Sequence, residues 1–252
     1  MPNTILATSK LSKTFSTGGV QQHVLKNLDM EIYAGDFTVI MGSSGAGKST
    51  LLYALAGMDK PTLGEVNFAG QNISGFSNDK LAIFRRNNCG FVFQQMYLLD
   101  NMSILDNIMA AGLLVNKNRK AVAAKAQELL TQFSIDAATQ RKFPAQVSGG
   151  EAQRAAIARA LVNSPAIVFA DEPTGALNSA NGNAVLDALT AVNRNGQSIV
   201  MVTHDLKSAI RGNRIIYLRD GGICGELNLE PFTGESEERR ATVKNFLAEM
   251  GW

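Results

Sequence analysis

Charge of neither sign is in excess. Over 252 residues, 24 Lys and Arg meet 22 Asp and Glu, leaving a net charge of +2, which argues against nucleic acid or an acidic substrate as partner. Cysteine is scarce: Cys89 and Cys224 stand alone and without metal-ligand spacing. That excludes a disulfide framework and suits a reducing cytosol. No apolar run approaches the ~18 uninterrupted residues of a membrane span, and the start lacks the basic-then-apolar layout of a signal peptide. If the protein works at a membrane, another chain is expected to cross it. What the chain does have is ordinary hydrophobic content, 45%, enough for a core. Its length fits one large domain or one domain carrying a substantial insertion.

The residues that are present centre on Gly42 to Thr50, Gly-Ser-Ser-Gly-Ala-Gly-Lys-Ser-Thr, which fits G-x-x-x-x-G-K-[ST] at every fixed position. Phe37 to Met41 ahead of it is a short apolar run, read as a buried strand. Ser49 to Gly57 behind it reads as a helix that stops before Pro61. Strand, glycine loop and helix are the context this motif requires. Gly42, Gly45 and Gly47 let the backbone approach an anion with no Cβ in the way. With Ser43, Ser44 and Ala46 between them, successive N–H groups can point inward beside the positive end of the helix. Lys48 supplies a cation for the β- and γ-phosphates, and the Ser49 hydroxyl a Mg²⁺ ligand. The plainer alternative is a glycine-rich turn with Lys-Ser after it by chance.

Along the chain, Ile5 to Phe15 reads as a strand entering a polar loop, Ser16 to Val20. Val24 to Ile32 alternates apolar and polar as a half-buried strand, so an antiparallel layer is expected ahead of the phosphate loop. Phe15 could stack on an adenine; local sequence alone favours a core aromatic at a strand end. Gly64 to Gly70 is a further strand, Asp79 to Arg86 a short helix, and Cys89 to Phe93 a buried strand ending in Gln94. That glutamine could reach a metal or an attacking water, or be a plain cap. From Met96 to Pro165 strand signals vanish, and helices over 104–114 and 121–133 are expected.

Ser148, Gly149, Gly150 and Glu151 open the next helix. Ser148 with Glu151 makes a capping box, while the two glycines weaken a first turn by ~1 kcal/mol each relative to Ala. They make better sense if a ligand approaches those amides, which would make a second anion site. Ala166 to Ala170 is an apolar strand delivering Asp171 and Glu172 together. Two carboxylates leaving a buried strand belong at the carboxyl edge of an open parallel sheet. There Asp171 would hold Mg²⁺ and Glu172 would polarise the water attacking the γ-phosphate; the alternative is a solvated turn before Pro173. A helix over 183–192 precedes a core strand, Ser198 to Val202, with His204 at its tip, one of two histidines in the chain. Arg214 to Cys224 reads as a hairpin turning at Asp220-Gly221, and 231–252 as a charged helical end with no evident chemistry.

Taken together, the phosphate loop, Gln94, Ser148-Gly-Gly-Glu-Ala-Gln, the Asp171-Glu172 pair and His204 resemble, in order and spacing, an ATP-binding cassette (ABC) ATPase subunit over nearly the whole chain. The resemblance implies an α/β, P-loop NTPase fold of the ABC nucleotide-binding type, with an N-terminal antiparallel β layer. Residues 1–95 and 166–252 would form the core and 96–165 an inserted helical subdomain. It implies ATP and Mg²⁺ as cofactors, with Ser49, Gln94 and Asp171 at the metal and Glu172, His204 and Gln94 as catalytic residues. It also promotes Phe15 to the adenine. In such cassettes ATP lies between two subunits, so Ser148 to Glu151 would face the nucleotide of a second copy. The Asn178 loop would lie at the dimer seam; the family usually has aspartate there.

Phe-Val-Phe-Gln-Gln and Phe-Ala-Asp-Glu-Pro-Thr-Gly-Ala-Leu are similar to the macrolide-exporter and lipoprotein-release branch, and to the bacitracin-type antimicrobial-peptide resistance ATPases in particular. That implies an FtsX-like permease as partner, a place at the cytoplasmic face of the plasma membrane, and contact between the permease and the residues after Gln94. Alternatives remain. One is a nucleotide-driven signalling subunit acting on a sensor kinase with little net transport, and a second is a lipoprotein- or lipid-release ATPase. The third is a soluble ABC protein acting on DNA or ribosomes, which lacks support in a chain with neither a basic surplus nor a long coiled coil.

Overall fold

The computed structural model of the chain describes residues 3–252. Its contacts fall into two compact units. One comprises the chain up to Ala82 together with Gly196–Trp252; the other is Ile83–Asn195.

The first unit opens with a long hairpin, β1 (Thr4–Thr17) and β2 (Val20–Tyr33). The polar loop expected over 16–20 is not a loop: the ladder continues to a Thr17–Val20 pair and turns at Gly18-Gly19, both with positive φ. A two-residue turn of that hand matches the twist of the strands. On β2, Leu25, Leu28, Met30 and Ile32 are buried. That spacing breaks the period of two once, between Leu25 and Leu28, where Asn27 adopts a φ of 50 and the register shifts. A bulge thus keeps four apolar side chains on one face. With β4 (Leu63–Phe68) and β5 (Gln71–Asn72), the hairpin forms an antiparallel sheet in the order β2-β1-β4-β5, the layer the sequence implied.

Beside it in the same unit, β3 (Phe37–Met41) is buried at all five positions and pairs in parallel with β8 (Ser198–Val202) and β9 (Arg214–Arg219). Strands covered on both faces read as continuous apolar runs. β10 (Gly222–Asn228) returns antiparallel to β9 through the expected Asp220-Gly221 turn. Helix α1 (Lys48–Leu55) follows β3 and buries Leu51, Leu52, Ala54 and Leu55. After β8 comes the one-turn α7 (Leu206–Ala209). The charged C-terminal stretch forms α8 (Glu237–Glu249), which buries Val243 and Leu247 four residues apart. It docks tightly, for a Cβ on Gly225 would lie 2.6 Å from Met250 Sδ.

The second unit holds a parallel strand pair, β6 (Cys89–Phe93) with β7 (Ile167–Asp171). The helices that follow the short α2 (Asn78–Asn88) are α3 (Ile104–Gly112), α4 (Arg119–Gln132), α5 (Gly149–Leu161) and α6 (Ser179–Arg194). α6 starts four residues earlier than its periodicity suggests, because the Asn178 side chain accepts from Asn181 N and caps it. α5 is the centre of this unit, packing on α3, α4, α6 and β6. Its buried face is mostly alanine, and a Cβ on Gly90 of β6 would sit 2.5 Å from Ala160 O. Small residues on both sides fix the helix close to the strand and so fix where its N-terminus lies.

Candidate functional site

In the first unit the phosphate loop leaves the carboxyl end of β3 and enters α1. Gly42 begins it against β9, where a Cβ would lie 2.1 Å from Leu218 O. Gly47 ends it with φ 98 and is the N-cap of α1, which no side chain caps. Backbone amides at that end therefore face outward where the helix dipole is positive. Ser43, Ser44 and Gly45 are exposed, Ala46 is buried, and Ser49 and Thr50 are half-buried. Lys48 Nζ donates to the carbonyls of Gly42 and Ser43, both at 2.9 Å, so its ammonium is folded over the loop. His204 lies two residues past β8, whose Val202 pairs with Ile40 of β3. Loop and histidine thus leave one sheet edge from neighbouring parallel strands, where ligands of such sheets bind.

Phe15 stays on β1 opposite Gln22 and is 41% exposed. It is not the core aromatic that local sequence favours. Lys13 Nζ lies over its ring, 4.9 Å from the centroid.

In the second unit the same edge logic gathers three polar residues. Phe93 pairs with Asp171 across β6 and β7, so Gln94 and Glu172 are the next residues out of adjacent strands. Asp171 is 9% exposed, which rules out the solvated turn considered for it. Glu172 turns out of the strand with φ 47, a strained conformation for a residue with a Cβ. Gly175 N donates to Glu172 O at 3.0 Å, and a Cβ on Gly175 would come within 3.0 Å of Gln94 Nε2. The glycine therefore lets the glutamine amide lie against the Glu172 turn. Asn178 closes this loop as the cap of α6, with Asn181 N at 3.0 Å.

The capping box stands as expected. Ser148 N and Ser148 Oγ donate to Glu151 Oε2 at 2.8 and 2.7 Å, and Glu151 N donates back to Ser148 Oγ at 3.3 Å. Bonds from the Ser148 backbone and then its hydroxyl hold the Glu151 carboxyl below the usual carboxylate range. The glycines, however, also have a packing reason. A Cβ on Gly150 would lie 2.7 Å from Asn181 Cγ, and one on Gly149 3.2 Å from Leu177 Cδ2. Close approach to those amides is thus needed inside the chain as well.

Three positioning residues escaped the sequence reading. Gln153 Nε2 donates to Phe93 O at 2.8 Å, tying α5 to the strand that ends in Gln94. Arg159 donates to the carbonyls of Met96 and Tyr97 at 2.7 and 2.5 Å, and burial pulls it below its ordinary pKa. Asn107 bonds Leu99 N at 2.7 Å. Polar side chains on otherwise apolar helix faces were the available signal for all three.

Among the described residues, no group of three or more His, Cys, Asp or Glu is arranged to hold a metal, and no helix is long and apolar enough to cross a membrane. Ser49, Gln94 and Asp171 offer a hydroxyl, an amide oxygen and one carboxylate. Each is an oxygen donor of the kind Mg²⁺ takes, Ser49 in the first unit and Gln94 with Asp171 at adjacent strand ends of the second.

A family model described as ABC transporter matches residues 25–175. The chain is 42% identical over 216 residues to a macrolide export ATP-binding/permease protein, MacB, of Escherichia coli, covering 86% of this chain and 33% of that protein. It is equally identical over 216 residues to an uncharacterized ABC transporter ATP-binding protein of Methanocaldococcus jannaschii, MJ1508, covering 86% of this chain and 96% of the other. The chain therefore spans about a third of the length of the MacB relatives. Among solved structures, a dimeric post-hydrolysis state of the ATP-binding cassette MJ0796 bound to ADP and Pi superposes with a TM-score of 0.80. The two are 37% identical, over 90% of this chain and 100% of that one. CbiO1 from Clostridium perfringens, part of the cbiONQ transporter complex, superposes at 0.81 with 25% identity, over 98% and 92% of the two chains. A family model matching more than half the residues, a relative 42% identical over nearly its whole length and a cassette structure 37% identical with the same fold lead to one conclusion: the chain belongs to the ABC transporter family, as an ABC ATPase cassette.

Proposed function

We propose that this cassette hydrolyses ATP at the cytoplasmic face of a membrane to drive an FtsX-like permease, in antimicrobial-peptide export or resistance. The match to MacB carries this reading most directly, because the relatives' name joins ATP binding to a permease and this chain, which has a phosphate loop of its own, matches a third of that protein.

Each side chain has a role its chemistry suits. Phe15 stacks the adenine. The loop amides from Gly42 to Thr50 bond the phosphates, the Lys48 ammonium offsets their charge, and Ser49, Gln94 and Asp171 would hold Mg²⁺. The ion, when bound, supplies charge that stabilises the transferring phosphoryl oxygens. Glu172 accepts a proton from the attacking water, His204 holds the γ-phosphate oxygens, and Gln94 orients the water; the products are ADP and phosphate. Ser148, Gly149, Gly150 and Glu151 meet the γ-phosphate held by a second copy of the chain. Two anion-binding helix ends and one lysine loop in each chain support that pairing.

For the permease, the second unit offers an apolar concavity of about 410 Å³ lined by Met102, Met109, Leu113 and Phe143, with Asp106 and Arg119 at polar positions. Tyr97 and Leu99 are also exposed, in the stretch that Arg159 and Asn107 hold in place. Such a surface suits an amphipathic helix. Co-expression with an FtsX-like permease and affinity capture from detergent extract tests it. Leu99→Glu is expected to remove the permease from the captured complex; undiminished capture contradicts this docking assignment.

A further inference from the structure

A half-buried lysine joins the Phe15 end of β1 to the segment that follows α1. Lys13 on β1 keeps only 12% of its side chain exposed. Its Nζ lies 2.5 Å from Asp59 Oδ1 and 2.7 Å from Lys60 O, and 4.9 Å from the centre of the Phe15 ring. Asp59 and Lys60 are the segment that leaves α1, the helix whose first residue is Lys48. The neighbouring backbone is fastened in the same place. Thr62 N donates to Ser12 O at 2.8 Å, and Thr14 N to Thr62 Oγ1 at 3.0 Å.

We infer that Lys13 is a positioning residue for nucleotide binding: it fixes the Phe15 ring relative to the α1 end of the phosphate loop, and so sets the span between base and phosphates. The inference rests on the assignment of Phe15 to the base. Its physics is as follows. A lysine ammonium is strongly hydrated and its stem has four rotatable bonds, so burying it requires partners of opposite sign. Asp59 supplies the charge and Lys60 a carbonyl, which leaves the ring face as the third contact of a cation held in one place. An ammonium over an aromatic face is attracted by the ring quadrupole, so Phe15, on a strand end with much of its surface in water, is confined to the orientation in which one face meets Lys13. The opposite face then presents itself to a base at a fixed angle. Preorganising a stacking ring lowers the cost of ordering it on binding.

The test compares two ligands that share the triphosphate and differ in the adenosine: Mg-ATP and magnesium tripolyphosphate. Both are titrated against the wild type, Lys13→Met, Lys13→Arg and Phe15→Ala, with kcat and KM for ATP measured alongside. Phe15→Ala is expected to weaken ATP about tenfold and to leave tripolyphosphate unchanged. Lys13→Met is expected to weaken ATP about threefold, again sparing tripolyphosphate, with the loss in KM and little in kcat. Lys13→Arg, which can reach Asp59 and cover the ring, restores the ATP affinity. A Lys13→Met protein that merely folds less well loses both ligands equally, and that result overturns the inference. Equal ATP affinity for Lys13→Met and wild type, with Phe15→Ala still impaired, overturns it too and leaves the base assignment standing. If Phe15→Ala binds ATP as the wild type does, the base assignment itself fails, and the inference with it.

Discussion

Glu172 leaves its strand in a left-handed conformation that costs of order 1–3 kcal/mol and persists only where surroundings enforce it. Here the enforcement is visible: Pro173 follows at once, Gly175 N bonds back to Glu172 O, and Leu177 N to Thr174 O at 3.0 Å. At the same scale, Gly42 and Lys48 are separable. A Cβ at Gly42 meets Leu218 O at 2.1 Å, a backbone atom of β9 that cannot step aside. Gly42→Ala is expected to destabilise the fold by about 1–3 kcal/mol, read as a lower midpoint in thermal melts; an unchanged midpoint contradicts the packing described. Lys48→Ala removes a charge on a half-buried side chain but leaves β9 and the loop backbone undisturbed. It is expected to lower the melting midpoint less than Gly42→Ala does while ATP binding falls by about a hundredfold, and tight binding would refute the loop assignment.

Among the elements, α5 depends on its first residues. Removing the cap by Ser148→Ala is expected to destabilise it by about 1 kcal/mol, checked by chemical denaturation; no change would mean Glu151 alone holds the end. The β9–β10 hairpin carries a pH dependence. The buried Arg214 grips Glu226 through Nε and Nη2 at 2.7 and 2.9 Å, also donates to Glu31 O, and lies over Tyr33. The Arg214 bonds hold the Glu226 carboxyl below its ordinary value against the opposing effect of burial. A depressed folded-state pKa gives stability that is complete above the ordinary carboxylate range and lost as pH falls through the folded value. Wild type should therefore lose more stability between about pH 6 and about pH 3 than Glu226→Gln; parallel slopes contradict the pairing. Elements of this kind were unevenly legible in the sequence. Runs such as 37–41, 89–93 and 198–202 matched their strands residue for residue, because strands this deeply buried are apolar but for a small residue such as Thr38 or Ser198. The β1–β2 hairpin was read too short, since Gln21, Gln22 and His23 project into solvent and carry no burial pattern. α6 was cut at its start because its first turn, Ser-Ala-Asn-Gly, is specified by the Asn178 cap and not by apolar spacing. The motifs named the site's chemistry, but the supports Gln153, Arg159 and Asn107 depend on backbone carbonyls that are distant in sequence. The span from Lys13 to Asp59 is 46 residues, beyond any local pattern.

For the molecule as a whole, the central claim is that each copy owns two incomplete nucleotide half-sites, made whole only by a second cassette. The loop end of α1 carries the lysine; the Ser148 end of α5 carries two glycines and no cation of its own in the capping box. The most direct measurement is the mass of the Glu172→Gln variant by light scattering, with and without Mg-ATP. The variant is expected to bind ATP, to turn it over at least about a hundredfold more slowly than wild type, and to double its mass only when ATP is present. A protein that stays monomeric with ATP bound, while the wild type hydrolyses at a rate per molecule independent of protein concentration, contradicts the claim.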